Sequence, residues 1–354
     1  EKIWTDGTDS GYGVAHVYEV DDDGTLTAKG GEIYFNDTRT TNNPIVSRRF
    51  GTSVAINADG SRIAIGDPGR ENSTTDVGYI LTYEFINNEW VSESYDSGGN
   101  AYPLKAGEGG GGSIGNSGNW NGPGDKFGWC MEMSEDGKTI LVGGPGTQSH
   151  NGSSKGFISV FKYKEPVFTA VLGTVDTTAF ELLSYIEGEN VGDRFGFSVD
   201  MVKFMPEYIA VGAPGDKSVS VFRGELDTNT NTYSFKRRCS PNGAGTTGGD
   251  KTIGSSDDVG HSIQIENDWD PATNDGTTEG DITSIDFGYA IGYTRDENGL
   301  HTLVVGAKEE KYKTSSGFIK GRIRIYVWDE DDDTGVSQWT SEIDKGGYDE
   351  SSPT

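Results

Sequence analysis

The run RFGTSVAINADGSRIAIG at 49 to 66 alternates apolar and polar side chains from Phe50 to Ile56, turns at Ala58-Asp59-Gly60, and alternates again from Arg62 to Gly66. A period of two marks a strand with one buried face, and Asp-Gly supplies the positive φ of a tight turn, so the stretch predicts a β-hairpin. KFGWCMEMSEDGKTILVGG at 126 to 144 repeats the device around Glu135-Asp136-Gly137, and RFGFSVDMVKFMPEYIAVGA at 194 to 213 repeats it with Pro206 in the turn. A glycine-rich break follows each hairpin: Gly66-Asp67-Pro68-Gly69, Gly143-Gly144-Pro145-Gly146 and Gly212-Ala213-Pro214-Gly215. Proline presets φ in such turns and glycine accepts the conformation that remains. A third apolar strand comes next, as GYILTYEF at 78 to 85, GFISVFKY at 156 to 163 and SVSVFRG at 218 to 224. A fourth is weaker, near EWVSESY, FELLSYI and TYSFKRR, as expected of an outer edge with one face in water.

The next repeat has two candidate starts. VGHSIQI at 259 to 265 matches FGTSVAI position for position, while DFGYAIGYTRDENGLHTLVVGA at 286 to 307 is the better hairpin. The reading adopted takes 259 to 307 as one repeat with an acidic insertion inside or beside its first strand, GRIRIYVW at 321 to 328 as its third strand and SQWTSEI as its fourth. The N-terminus fits the template out of phase: EKIW resembles a second strand, GVAHVYEV a third and TLTAKGGEIYF a fourth, with no FG strand. Four-stranded units that cannot bury both faces alone are the signature of an all-β propeller of antiparallel blades. The expected layout is a single domain with blades at 1–48 (partial), 49–125, 126–193, 194–258 and 259–347, then a tail at 348–354. About five blades are visible, which implies either a five-bladed propeller whose partial unit is completed from elsewhere or part of a seven-bladed ring.

Phe50-Gly51, Phe127-Gly128 and Phe195-Gly196, paired with IGDPG, VGGPG and VGAPG, resemble the FG-GAP repeats of the integrin α-chain propeller and related extracellular proteins. The resemblance implies an extracellular adhesion or recognition module. It also implies that partners dock on the rim holding the loops after the second strands and the connections between blades. On this sequence that rim includes Asp67, Arg70, Tyr95, Tyr102 and Trp120. One departure stands out. Integrin-like first hairpins often hold calcium in D-x-D-x-D-G-like loops, whereas NADG, SEDG, VKFMPE and TRDENG offer one or two carboxylates each, fewer than a cage of about 6 to 8 oxygens requires. These loops read as plain turns.

Composition narrows the partners. Lys+Arg 29 against Asp+Glu 56 leaves a net charge of −27, which repels phosphate backbones and anionic membranes, so neither nucleic acid nor membrane insertion is expected. The 53 glycines lack a three-residue period, which excludes collagen. Cys130 and Cys239 are too few for a disulfide scaffold and lack zinc spacing, and they fall in different repeats, so two thiols are expected. With no basic-then-apolar leader before EKIW, the sequence reads as a mature secreted product or a segment of something longer.

Candidate chemistry is sparse. Calcium, the one cofactor weighed, has its best oxygen donors in the insertion ENDWDPATNDGTTEGD, at Asp268, Asp270, Asp275 and Glu279. The runs at Asp21, Asp22, Asp23 and at Asp329, Asp331, Asp332, Asp333 read as charged edge hairpins that block sheet-to-sheet aggregation. His16, His150, His261 and His301 lie in no active-site motif, and GEGGGGSIGNSGNWNGPG lacks the Lys-Ser/Thr ending of a phosphate loop. No catalytic residue is assigned. Sequons at Asn36, Asn72 and Asn151 fall in predicted loops and would carry glycans outside a eukaryotic cell. The expected function is non-catalytic adhesion, recognition or structural support at a cell or particle surface, with a protein or glycan partner. Two alternatives remain: a carbohydrate-binding or carbohydrate-active propeller, and a self-assembling subunit of an extracellular filament.

Overall fold

A computed structural model of the chain describes residues 13–34, 49–69, 78–94, 104, 126–146, 155–164, 179–227, 232–238, 251–252, 263–264, 282–284, 287–314, 317–329 and 340–349. All the regular elements among them are strands, and the chain divides into two compact units, Glu1–Tyr185 and Ile186–Thr354. In the first unit, β1 (Tyr18–Val20) pairs with β2 (Leu26–Ala28). There follow the meanders β3 (Ser53–Ile56), β4 (Arg62–Asp67), β5 (Tyr79–Ile86), β6 (Glu89–Ser92) and β7 (Cys130–Met133), β8 (Thr139–Gly144), β9 (Phe157–Tyr163), β10 (Phe180–Glu187). The second unit holds β11 (Ser198–Met201), β12 (Tyr208–Ala213), β13 (Ser218–Asp227) and β14 (Thr232–Arg238), with β15 (Lys251–Thr252) beside β14 and β16 (Ile263–Gln264) beside β13. Its other sheet joins β17 (Ile282–Ser284), β18 (Phe287–Arg295), β19 (Leu300–Thr314), β20 (Gly317–Asp329) and β21 (Thr340–Asp349). Each four-stranded antiparallel meander is a β-propeller blade. We call them blades A (β3–β6), B (β7–β10), C (β11–β14) and D (β18–β21).

The predicted turns form as their residue types require. Gly60 and Gly137 sit at φ 65° and 67° in the first hairpins of blades A and B. The neighbouring aspartates accept hydrogen bonds within their own turns: Ser61 N–H donates to Asp59 Oδ1 at 2.8 Å, Lys138 N–H to Asp136 Oδ1 at 2.9 Å, and Leu300 N–H to Asp296 Oδ1 at 2.8 Å. Among the described residues the first-strand partner of β19 begins at Phe287, and Ile263 and Gln264 pair with Val219 and Ser218 of blade C.

The core lies in the seams between sheets. Alternation gives each blade two faces. In blade A the face bearing Ser53, Ala55, Ala64, Gly66 and Ile80 receives blade B, whose Phe127, Met131, Met133, Ile140 and Val142 pack on Ala55, Ala64 and Ile80. Blade C receives blade D in the same way, with Phe287, Tyr293, Leu303 and Val305 packed among Tyr208, Ala210, Val219 and Val221. Blade A's opposite face holds Ile63, Ile65, Leu81 and Tyr83 under Ala15, Val17 and Ile33 of the partial unit. Full burial of each such side chain contributes about 1.5–3 kcal/mol.

The FG dipeptide locks each seam. Phe50, Phe127, Phe195 and Phe287 are all buried, and the glycines after them hold φ of 87°, 85°, 81° and 83°. That left-handed turn aims the glycine carbonyl at the preceding blade: Ser53 Oγ donates to Gly128 O at 2.7 Å, and Ser198 Oγ donates to Gly288 O at 2.8 Å. The approach also leaves no space for a side chain. A Cβ on Gly128 would stand 2.7 Å from the Tyr79 carbonyl oxygen and 3.3 Å from the Asp67 amide nitrogen, whereas one on Gly24, at φ 79°, would meet nothing within 4 Å. Gly24→Ala should therefore lose only the backbone term, about 1–2 kcal/mol for a left-handed L-residue. Gly128→Ala should lose at least about 1 kcal/mol more through the seam, and paired urea titrations of the two variants measure the difference.

Candidate functional site

In each unit the FG turns carry a similar polar arrangement. Lys126 and Arg194, the residues just before FG in blades B and C, adopt φ of 54° and 57° and fold back over the aromatic just after it. Lys126 Nζ lies 5.4 Å from the Trp129 ring centroid, and the Arg194 guanidinium lies 4.2 Å from that of Phe197. In blade D the same ring position is Tyr289, with Lys308 Nζ at 4.9 Å. Phe197 and Tyr289 are themselves tilted against each other at 4.8 Å between centroids. Arg194 and Lys308 are exposed, so their charges face solvent. A cation over an aromatic ring contributes about 0.5–1 kcal/mol at exposed sites, and it also places the charge at a defined point.

In each unit a G-x-P-G turn lies beside residues that precede an FG. The Arg49 side chain lies against Gly69, and Gly215 N–H donates to the Asp193 carbonyl at 3.0 Å. Burial raises Asp193 above the ordinary carboxylate value; the Asn190 amide partly offsets this, and the charges of Asp216 and Glu189 add to the rise. At these two places the loop after a second strand lies beside residues that precede an FG.

The opposite edge is structural. Arg62 is buried, and its Nε donates to Glu93 Oε1 at 2.7 Å, its Nη1 to the Gly137 carbonyl at 3.2 Å, and its guanidinium lies 4.2 Å over the Tyr163 ring. One side chain thereby joins blade A to the hairpin and outer strands of blade B. Burial pushes Glu93 above its ordinary value, and Arg62 only partly counters it. In the second unit Asp200 Oδ2 accepts from Tyr293 N–H at 2.6 Å, and burial raises its pKa more than that amide and the Met201 amide lower it. His301 is fully buried on β19, with its Nδ1 2.8 Å from the Tyr293 hydroxyl and its ring 4.8 Å from that of Tyr208.

Of the rim residues expected from sequence, Asp67 is only 1% exposed. It ends β4 opposite Tyr79, on the strand face that carries Ile63 and Ile65 and not the face that receives blade B, so its side chain is not exposed to solvent. Arg70, Tyr95, Tyr102 and Trp120 lie outside the described residues, as do Asp268, Asp270, Asp275 and Glu279 and the sequons at Asn36, Asn72 and Asn151. Asp21 Oδ1 accepts from its own hairpin, from Thr25 N–H at 2.7 Å and Asp23 N–H at 3.1 Å. Trp129, Phe197 and Tyr289 were missed. The signal for them was an aromatic directly after FG in three of the four FG segments, preceded in two of those by Lys or Arg.

No family model and no curated protein matches the chain. Among solved structures it is similar to the Pseudomonas aeruginosa periplasmic gluconolactonase, at 11% identity over 98% of this chain and 94% of that one, with a TM-score of 0.35. It is similar to Kluyveromyces lactis Hsv2 at 10% identity over 90% and 70%, with a TM-score of 0.36. It is also similar to the Swd1 β-propeller domain of Myceliophteria thermophila at 13% identity over 57% and 49%, with a TM-score of 0.29. The propeller assignment rests on the blade topology itself, and the activity named for the gluconolactonase belongs to that protein.

The Arg62 cluster yields a prediction with a definite sign. Because Glu93 is held above its ordinary value of 4.5, its contribution to stability is complete below that value and is lost as pH rises through the folded pKa. Arg62→Leu removes the partner that offsets the buried charge and should cost about 3–5 kcal/mol near neutral pH. Acidification protonates Glu93 and should shrink that deficit, a trend that denaturant titrations across the acidic range would show. Adding Glu93→Gln to Arg62→Leu should abolish the trend.

Proposed function

We propose that the chain is a non-catalytic, extracellular or surface-displayed recognition and adhesion module built on FG-GAP-like propeller blades. Its partner, a protein or glycan bearing carboxylate or sulfate groups, is taken at the FG rim. The observation that carries this reading is the recurrence of a cation over the aromatic that follows an FG: Lys126 on Trp129 and Arg194 on Phe197 from the residue before FG, and Lys308 of β19 on Tyr289. In a chain of net charge −27, fixed cations beside ring planes are suited to an anionic group on an otherwise apolar or sugar surface. The buried polar groups support the non-catalytic part, because Arg62, Glu93, Asp200 and His301 are engaged in joining strands and blades.

This reading requires no cofactor. Calcium enters it only at Asp268, Asp270, Asp275 and Glu279, where it would order the acidic insertion, and calorimetric titration of the full chain with CaCl2 tests that assignment. Sugars on Asn36, Asn72 and Asn151, read from tandem mass spectra of material from the native source, would support display outside the cell.

The rim itself is tested on an array of acidic and neutral glycans and in a cell-adhesion assay. Arg194→Ala and Trp129→Ala should each weaken capture of acidic ligands about tenfold, the loss expected for about 1.4 kcal/mol. Capture should also fall with salt. Binding unchanged in both variants removes the rim assignment, and turnover of a polysaccharide or lactone by the purified chain would replace the module with an enzyme.

A further inference from the structure

In the first unit Lys29 and Arg62 are held by carboxylates, Lys29 Nζ at 3.1 Å from Glu19 Oε1 and Arg62 Nε at 2.7 Å from Glu93 Oε1. Arg194 and Lys308 of the second unit make no ion pair among the described residues, although acids outnumber bases 56 to 29 in the chain. Their partners are rings. Arg194 lies on Phe197, Phe197 against Tyr289, and Lys308 on Tyr289, so the four side chains form a row across the seam of blades C and D. Contacts of 4.2, 4.8 and 4.9 Å in series limit the separation of the two charges to about 14 Å. Both cations are also fixed at their backbone. Arg194 holds φ 57° with its carbonyl accepting from Phe197 N–H at 3.1 Å, and Lys308 follows Ala307, which is paired with Phe287 on one side and Arg322 on the other.

Two features of the row select its partner. Phe197 is 8% exposed and Tyr289 half-buried, and each ring already meets a cation and the other ring, which leaves little flat surface on which a sugar could stack. The surroundings are not basic, since the charges of Glu189 and Asp216 act on Asp193, the residue before Arg194. A dense polyanion such as a sulfated polysaccharide would be repelled by those carboxylates, whereas a segment with two separate charges can meet the cations alone. An extended peptide rises about 3.3 Å per residue and alternates its faces, so acidic side chains two or four residues apart stand about 7 or 13 Å from each other on one face. Both spacings fall within the limit set by the row.

We infer that Arg194 and Lys308 form a two-point clamp for an extended acidic peptide segment of a protein partner, each cation taking one of two carboxylates on the same face of that segment. This rests on the FG rim being the recognition surface; it adds the class of partner and the spacing of its charges.

The test is fluorescence anisotropy with the full chain at low ionic strength, where surface pairs are least screened. The probes are end-blocked Ser/Thr peptides with two glutamates two or four residues apart, the same peptides with one glutamate replaced by glutamine, and a sulfated hexasaccharide. At one of the two spacings the two-glutamate peptide should bind about tenfold or more tightly than its one-glutamate form, because the second contact forms within a complex already held by the first. Arg194→Gln and Lys308→Gln should each abolish that preference. Either variant should weaken the one-glutamate peptides only about twofold, since the remaining cation still serves them. A wild-type chain without the preference overturns the clamp, and so does a preference that survives in both variants. Tighter capture of the hexasaccharide than of any peptide, weakened by the variants, overturns the peptide partner and leaves the FG rim reading standing. Absence of binding to every probe overturns the clamp and, with glycan capture unchanged in Trp129→Ala, the rim reading too. Circular dichroism confirms that each variant is folded.

Discussion

Gly51, Gly128, Gly196 and Gly288 hold a left-handed backbone turn that most of the described architecture depends on. In that conformation the glycine carbonyl leaves its own strand and, at Gly128 and Gly288, accepts a serine hydroxyl from the neighbouring blade. The phenylalanine before it drops into the seam at the same time. One dipeptide thus supplies both the polar register and the apolar anchor of a blade-to-blade contact. An L-residue at these positions would meet the conformational cost of positive φ and, at Gly128 and Gly288, backbone atoms of the adjacent sheet as well.

The two edges of the blades divide the work between charge and burial. At the hairpin-turn edge, Arg62 is withdrawn from water and fully engaged by Glu93, the Gly137 carbonyl and the Tyr163 ring. A buried pair of this kind adds little net stability over an apolar substitute, but removing one member is costly, so it specifies which hairpin meets which sheet. At the FG edge the cations Arg194 and Lys308 remain in solvent with their rings beneath them. Charges that are positioned and still hydrated are available to a partner, whereas those of the Arg62 cluster are not. This contrast in desolvation is why the FG edge is the recognition surface in the reading proposed above.

Much of the fold was legible because a strand's side-chain period is two and its turns have narrow chemistry. The hairpins at Asp59-Gly60 and Asp136-Gly137, the G-x-P-G exits and the weak fourth strands appear where alternation and turn residues put them. Val259 to Ile265 carries the apolar alternation of an FG strand but no phenylalanine, and its described residues Ile263 and Gln264 pair with blade C.

The site was less legible than the fold, for a physical reason. Asp67 reads as a loop carboxylate, yet it ends β4 and is buried on the face it shares with Ile63 and Ile65. Trp129, Phe197 and Tyr289 read as ordinary strand aromatics until the left-handed turns at Lys126 and Arg194 fold the preceding cations back over two of them. Sequence alone determined that the chain is all-β, that its strands come in fours, and that glycine is required after each FG phenylalanine, since these follow from local periodicity and local sterics. Only tertiary structure decided which faces are covered, which charges are desolvated, and that Val54 and Ile56 are left open while Met131 and Met133 are not, because burial depends on the neighbouring sheet and not on the strand's own residues.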